Sequence, residues 1–124
     1  MAKILLVEDD GLMSRMYGRL FSYEGYDVEV AADGEAGLVK AREYQPDLIL
    51  LDVMMPRMNG LELIKKLRED ERTRHIMVVL LTNLGIQEKL DEAMQLGAVG
   101  CIIKSNHSPE EVIKMVEDFL SKKA

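Results

Sequence analysis

The 124-residue sequence has one cysteine, no long apolar run and no excess of basic residues. Cys101 has no second cysteine for an internal disulfide, which fits a reducing compartment. No apolar run approaches the roughly 20 residues that span a bilayer. Lys3 and a short strand pattern follow closely on Met1, which is unlike a signal peptide. We therefore expect a cytoplasmic protein that does not enter a membrane.

The charge balance is acidic, with 22 Asp and Glu against 16 Lys and Arg and a net charge of −6. A nucleic-acid-binding face needs clustered Lys and Arg, so none is expected, whereas a cation or a basic partner is compatible with this charge. The length and the 48% apolar content fit one domain with its own core. No repeat, linker or low-complexity segment interrupts the chain. We expect a single domain over residues 1–124, with no second domain.

Short apolar runs alternate five times with helical patterns along the chain. This alternation predicts an α/β fold, with a doubly wound parallel sheet of five strands, right-handed crossovers and helices on both faces. In the second run, Val28 and Val30 alternate with charged residues, which predicts a half-exposed edge strand. Capping patterns predict helix starts at Asn59 and at Ser108.

Functional groups follow four of the five predicted strands. Glu8 and Asp9 come after the first strand, Asp52 after the third, Thr82 after the fourth and Lys104 after the fifth. The carboxyl ends of parallel strands lie at the same edge of a sheet, which is where open α/β sheets place their chemistry. The sequence therefore predicts one edge that carries several carboxylates, a hydroxyl and an ammonium.

These groups suit phosphoryl transfer to a carboxylate. Clustered carboxylates repel one another unless a cation lies between them, and a few hard oxygen ligands suit Mg²⁺. Lys104 could neutralise phosphoryl oxygens, and Thr82 could donate a hydrogen bond to one. Asp52 could attack phosphorus and form an acyl phosphate. Asp52 is therefore the predicted reactive residue.

The chain resembles the receiver domain of two-component response regulators over essentially its whole length. Thr82 and Lys104 lie 30 and 52 residues beyond Asp52, which is the order of the family and close to its spacing. The other matching motifs are Glu8-Asp9, Met55-Pro56, Met58-x-Gly60 and Gly97-Ala98-x-Gly100. The resemblance implies a flavodoxin-like sheet with strand order 2-1-3-4-5. Asp10 falls at a position that varies in the family.

The resemblance also implies a ligand set for Mg²⁺. Asp9 would bind the ion directly and Glu8 through water. Asp52 and the backbone carbonyl of Met54 would complete the protein ligands. Mg²⁺ is the one cofactor that the resemblance implies.

A phosphorylation switch is the function that the resemblance implies. Asp52 would accept a phosphoryl group from a phosphohistidine on a sensor histidine kinase or phosphotransfer protein. Thr82 would move toward that group and Lys104 would pair with it. The chain would catalyse only its own phosphorylation and dephosphorylation, so it is not an enzyme in the usual sense. The output would pass to an effector protein in trans through the fourth helix, fifth strand and fifth helix, from a monomer or a weak homodimer.

Three positions depart from the pattern of the family. Cys101 stands where an aromatic side chain usually turns inward, Ser105 replaces the usual proline after the lysine, and Asn83 replaces a small residue. The residues expected to carry out phosphoryl transfer are therefore present, while the residues that usually pass on the conformational change are altered.

Two other functions stay open on the sequence. The altered residues fit an interaction module that keeps the fold without using phosphorylation. A haloacid dehalogenase-like hydrolase would also form an aspartyl phosphate, but it needs a second acid two residues after the nucleophile, where this chain has Met54. Cobalamin binding is disfavoured, because no histidine lies near the strand ends in the required spacing.

Overall fold

The computed structural model of the protein describes residues 2–53, 55, 58–83 and 87–122. Strands and helices alternate along the chain. The strands are β1 (Lys3–Val7), β2 (Asp27–Ala31), β3 (Leu48–Leu51), β4 (Met77–Thr82) and β5 (Gly100–Ile103). The helices are α1 (Gly11–Tyr23), α2 (Gly34–Tyr44), α3 (Gly60–Glu69), α4 (Gln87–Gln95) and α5 (Pro109–Lys122). None of the described helices is long and apolar enough to cross a membrane.

All four strand pairings are parallel, and the order is β2-β1-β3-β4-β5. The predicted fold class and strand order are therefore confirmed. β1 lies between β2 and β3, with Leu6 paired to both Val30 and Leu50. β2 lies at the edge and is only partly covered, as the alternation of Val28 and Val30 with charged residues predicted.

The sheet separates two hydrophobic layers. Alternate residues of the central strands, such as Leu5 and Ile49, face one layer with α2, α3 and α4. Their neighbours, such as Leu6 and Leu50, face the other layer with α1 and α5. Because β1 and β3 are covered on both faces, their sequences are continuous apolar runs. The two layers hold the carboxyl ends of these strands in fixed register.

Side-chain caps fix the starts of three helices close to the site. The Asn59 side chain accepts a hydrogen bond from the N–H of Glu62 at 3.0 Å, at the start of α3. Ser108 and Glu111 cap α5 reciprocally, at 2.9 and 3.2 Å. Both predicted helix starts are therefore confirmed. Asp10 also caps α1, since its carboxylate accepts the N–H groups of residues 12 and 13, so a position that varies in the family has a structural role here.

Arg68 joins α3 to two loops at the opposite edge of the sheet. Its guanidinium donates hydrogen bonds to the carbonyls of Arg74, Ile76 and Gly97 at 2.9, 3.0 and 3.1 Å. Burial lowers the pKa of this guanidinium. Gly97 has a φ of +106°, and a Cβ there would lie 2.7 Å from Nε of Arg68, so glycine is required. These bonds fix the start of β4, whose other end carries Thr82.

Candidate functional site

The strand ends bring the predicted residues to one edge of the sheet. Asp52 directly follows β3, and its N–H donates to the carbonyl of Val7 at 3.1 Å. Glu8 directly follows β1, and its N–H donates to the carbonyl of Ala31 at 3.0 Å. These bonds extend the sheet by one residue beyond each strand. The two carboxylates are therefore placed by backbone that the sheet itself holds.

Glu8, Asp9 and Asp52 form an acidic cluster. One oxygen from each carboxylate lies within 4.8 Å of the others, and Asp9 is exposed while Glu8 is buried. Carboxylate oxygens that converge from two strand ends are the ligands that Mg²⁺ prefers, and one open side leaves room for the waters that Mg²⁺ keeps. The donor set therefore fits a magnesium ion.

Lys104 brings a positive charge into this cluster. It opens a 3₁₀ turn, Lys104–Asn106, directly after β5. Its ammonium donates to Oε1 of Glu8, and its Nζ lies 3.8 Å from Oδ2 of Asp52. Burial raises the pKa of Glu8, and the lysine opposes that shift. With the ammonium so close, we interpret Glu8 as an ionised carboxylate.

Thr82 is the last residue of β4 and is buried. It pairs in register with Ile103, the residue before Lys104. The hydroxyl and the ammonium therefore come from adjacent strands at the same edge. Met54, predicted as a carbonyl ligand, lies outside the described residues.

The structure places the three positions that depart from the pattern of the family in different surroundings. Cys101 is half-buried on β5 and packs against the layer under α2 to α4, and burial raises the pKa of its thiol. Ser105 lies within the 3₁₀ turn, and the described part of the chain contains no cis peptide bond. Asn83 is exposed after β4. Cys101 is thus a small, partly buried residue packed against the core, in place of a large aromatic side chain.

The Glu8–Lys104 ion pair was not predicted from the sequence. The partners are 96 residues apart, and no local pattern relates them. Both residues follow strands, which predicted only that they share an edge. Their direct contact depends on the 3₁₀ turn that carries Lys104.

The sequence model of the response regulator receiver domain matches residues 4–117. The chain belongs to this family. The receiver domain is 44% identical over 91 residues to the DNA-binding dual master transcriptional regulator RpaA of Synechocystis, covering 73% of this chain and 38% of RpaA. It is 32% identical to the polar-differentiation response regulator DivK of Brucella ovis, covering 94% of each chain. The chain thus spans most of the length of DivK but much less of RpaA.

The fold of this receiver domain is close to solved structures of the family. The chemotaxis protein CheY4 of Vibrio cholerae superimposes with a TM-score of 0.88 and 35% identity, covering 95% of this chain and 98% of CheY4. Receiver domains are generally signalling switches of two-component systems, not classical enzymes. They bind Mg²⁺ at an acidic pocket, and they interact with histidine kinases and downstream effectors. The acidic cluster of this receiver domain lies where such a pocket is expected.

Proposed function

We propose that this receiver domain is a phosphorelay switch that accepts a phosphoryl group on Asp52 in an Mg²⁺-dependent reaction. The observation that carries the proposal is the convergence of three carboxylates and one ammonium at the end of β3. The side chain of Asp52 is 12% exposed, against 3% for Glu8 and 4% for Lys104. Asp52 is therefore the most exposed of these three side chains.

The proposed ligands of Mg²⁺ are Asp9 directly, Glu8 through water, Asp52 and the carbonyl of Met54. A bound magnesium ion supplies charge neutralisation on the transferring phosphoryl group. The exposed position of Asp9 supports its direct role, because an exposed carboxylate would be open to an ion that arrives from solvent. The buried position of Glu8 supports its indirect role.

The chemical step exchanges one bond to phosphorus for another. An oxygen of Asp52 attacks phosphorus as the P–N bond to the donor histidine breaks, and the imidazole leaves with its electron pair. Lys104 stabilises the charge on the phosphoryl oxygens, and Thr82 donates a hydrogen bond to one of them. Water later hydrolyses the acyl phosphate. The receiver domain thus acts only on its own carboxylate.

The output surface that we propose consists of α4, β5 and α5, and its occupant is a downstream effector protein. Met94 and Val99 expose large apolar side chains there, next to half-buried Cys101. Along the chain, this surface begins with α4, five residues after Thr82. A shift of Thr82 toward the phosphoryl group would therefore alter it without a large aromatic switch.

The proposal is tested by amide NMR with Mg²⁺, then with Mg²⁺ and beryllofluoride, which mimics the phosphoryl group. We expect Mg²⁺ to shift signals near Asp9 and Asp52, and beryllofluoride to extend the shifts to Thr82, β5 and α5. Shifts confined to the site would instead favour the module that does not use phosphorylation. No response to either addition would contradict the proposed function.

The phosphodonor protein must cover the rim of the site to bring its histidine in line with Asp52. α1 begins two residues after Asp9, and its Leu12 is 71% exposed at that rim. A groove of about 600 Å³ runs along α1 to the start of α5, lined by Leu12, Met13, Arg15, Met16, Arg19, Leu20, Pro109 and Glu110. The groove carries two arginines against one glutamate beside its apolar residues, which favours a donor with an acidic, apolar docking surface.

We expect Leu12→Asp to slow phosphotransfer from a phosphohistidine protein at least tenfold, or about 1.4 kcal/mol, because it places a carboxylate in an apolar contact. Labelling by acetyl phosphate should be unchanged, since that donor needs no docking surface. Val39→Asp on α2 is the matched control, because Val39 is 49% exposed but lies on the other face of the sheet. Equal losses with both donors would count against docking at this groove.

A further inference from the structure

The edge strand β2 has backbone groups that point away from the sheet. The N–H of Asp27 and the carbonyl of Ala31 bond inward, to backbone groups at the two ends of β1, at 3.1 and 3.0 Å. Backbone groups of successive strand residues point to opposite sides, so Val28 and Val30 direct their N–H and C=O groups outward. In the described part of the chain, β2 has a neighbouring strand on one side only. Its outer side is therefore open to an added strand.

An acidic groove of about 540 Å³ lies beside this edge, on the side of α2. Its lining residues are Glu29, Ala36, Val39, Lys40, Glu43 and Tyr44. Asp27 lies close by, since its charge adds to burial in raising the pKa of Tyr44. Three acids thus stand against one lysine, and that lysine is already bonded to Glu29 at 3.1 Å. The groove therefore carries an excess of negative charge beside the exposed apolar side chain of Val39.

The opposite face of β2 is apolar. Val30 lies beside Gly18 of α1, and its side chain remains 37% exposed. Successive side chains of an added strand would point to opposite faces of the sheet. One set would meet the acidic groove, and the other set would meet Val30. The edge therefore favours a segment in which basic and apolar residues alternate.

A second copy of this chain fits the edge poorly. Antiparallel pairing of two β2 strands about a twofold axis would place the same face of both sheets on one side. Asp27 and Glu29 of one copy would then lie beside the same acids of the other. Like charges on opposed strands destabilise strand pairing. The charge distribution therefore favours a segment of a different protein.

We propose that the outer edge of β2 is a docking site for an extended, basic segment of a partner protein, which adds one strand to the sheet. This inference goes beyond acceptance of a phosphoryl group. β2 and β5 lie at opposite ends of the strand order, so this site and the proposed output surface can be occupied together. The partner is held whether or not Asp52 is phosphorylated.

The test is an amide NMR titration with the synthetic peptide Lys-Val-Lys-Val-Lys-Val-Lys. We expect saturating shifts in β2 and α2 below about 2 mM peptide, with the same affinity in Mg²⁺ and beryllofluoride as without them. A peptide of the same composition in the order Val-Val-Val-Lys-Lys-Lys-Lys should bind about tenfold more weakly, because it cannot present lysines on one face. Equal binding of both peptides, or shifts centred on another surface, would overturn the proposal.

Two N-methylated forms of the alternating peptide separate strand pairing from attraction between charges alone. One form is methylated at the backbone nitrogens of its lysines, and the other at those of its valines. Only one of these two sets can face β2, so we expect only one form to lose affinity, by about tenfold. Equal affinity of both forms and the parent peptide would contradict strand addition.

Two variants of the protein test the same surface. Val30→Pro removes an N–H that points outward, which an edge strand tolerates, and should weaken peptide binding about tenfold while the remaining spectrum stays folded. Glu43→Lys should weaken binding about fivefold. Asp118→Lys makes the same change in net charge at an exposed position on α5 and should bind the peptide normally.

Three results with these variants would overturn the proposal. The first is unchanged peptide affinity of folded Val30→Pro, and the second is an equal loss in Glu43→Lys and Asp118→Lys. The third is a change of the β2 amide signals on dilution of the protein alone, which would assign the edge to a second copy of this chain.

Discussion

Asp52→Asn should abolish Mg²⁺-dependent labelling of the receiver domain by acetyl phosphate. A carboxamide has nearly the size of a carboxylate, but it is neutral and does not act as a nucleophile toward the phosphorus of acetyl phosphate. Intact-mass spectrometry should show one added phosphoryl group on the wild-type chain and none on the variant. Glu8 also contacts Lys104 within the acidic cluster, but its side chain is only 3% exposed, so no second acceptor is expected.

The fold should survive this substitution. Charge repulsion from Asp52 raises the pKa of Glu8, by less than burial does and against the opposing effect of Lys104, so removing the charge of Asp52 relieves a repulsion within the acidic cluster. We expect the thermal midpoint of Asp52→Asn to equal or exceed that of wild type. Asp118→Asn, which changes an exposed acid on α5, is the matched control and should be labelled normally. Persistent labelling of folded Asp52→Asn would remove Asp52 from its proposed role.

Gly60→Ala should impair both stability and phosphorylation. A Cβ on Gly60 would lie 2.7 Å from Cα of Val53 and 2.8 Å from the carbonyl oxygen of Asp52. Both are backbone atoms, so no side-chain rotation relieves the contact. We expect a loss of about 2 kcal/mol in the free energy of unfolding, typical of an overfilled site. Displacement of the backbone at Asp52 should slow labelling about tenfold, since catalytic geometry tolerates little movement.

Gly18→Ala provides the matched control. Gly18 lies inside α1, where the nearest atom to an added Cβ is 4.0 Å away, on Val30. Alanine should stabilise that helix by about 0.5 to 1 kcal/mol and leave labelling unchanged. The two variants are compared by urea unfolding and by the rate of labelling. Equal unfolding free energies and equal labelling rates of the two variants would show that the close contact of Gly60 with the backbone of Asp52 matters for neither stability nor phosphorylation.

The fold was predictable because its main determinants are local. The continuous apolar runs of β1 and β3 indicate that both faces of these strands are buried. The alternation around Val28 and Val30 indicates a strand at the edge of the sheet. The caps at Asn59 and Ser108 mark helix starts within a few residues. Strand order is different, because it depends on which strands meet across the crossovers. It came from the resemblance to the family, and the structure confirms it.

The site was predictable as a set of residues but not as a set of contacts. Strand ends placed Glu8, Asp52 and Lys104 on one edge, since parallel strands share that edge. Which charge pairs with which is decided by the turn after β5 and by side-chain burial, and neither leaves a pattern in the sequence. The cap formed by Asp10 was also missed, because Asp10 falls at a position that varies in the family and no role was expected for it.

The bond between Glu8 and Lys104 connects the first strand of the chain to the last, across 96 residues. Loop closure over such a separation carries a large entropic cost until the intervening strands have paired. The acceptor site therefore cannot assemble on a nascent chain that lacks β5. On the proposed function, uptake of a phosphoryl group would therefore require that the whole sheet has formed, and a partly folded receiver domain would accept none.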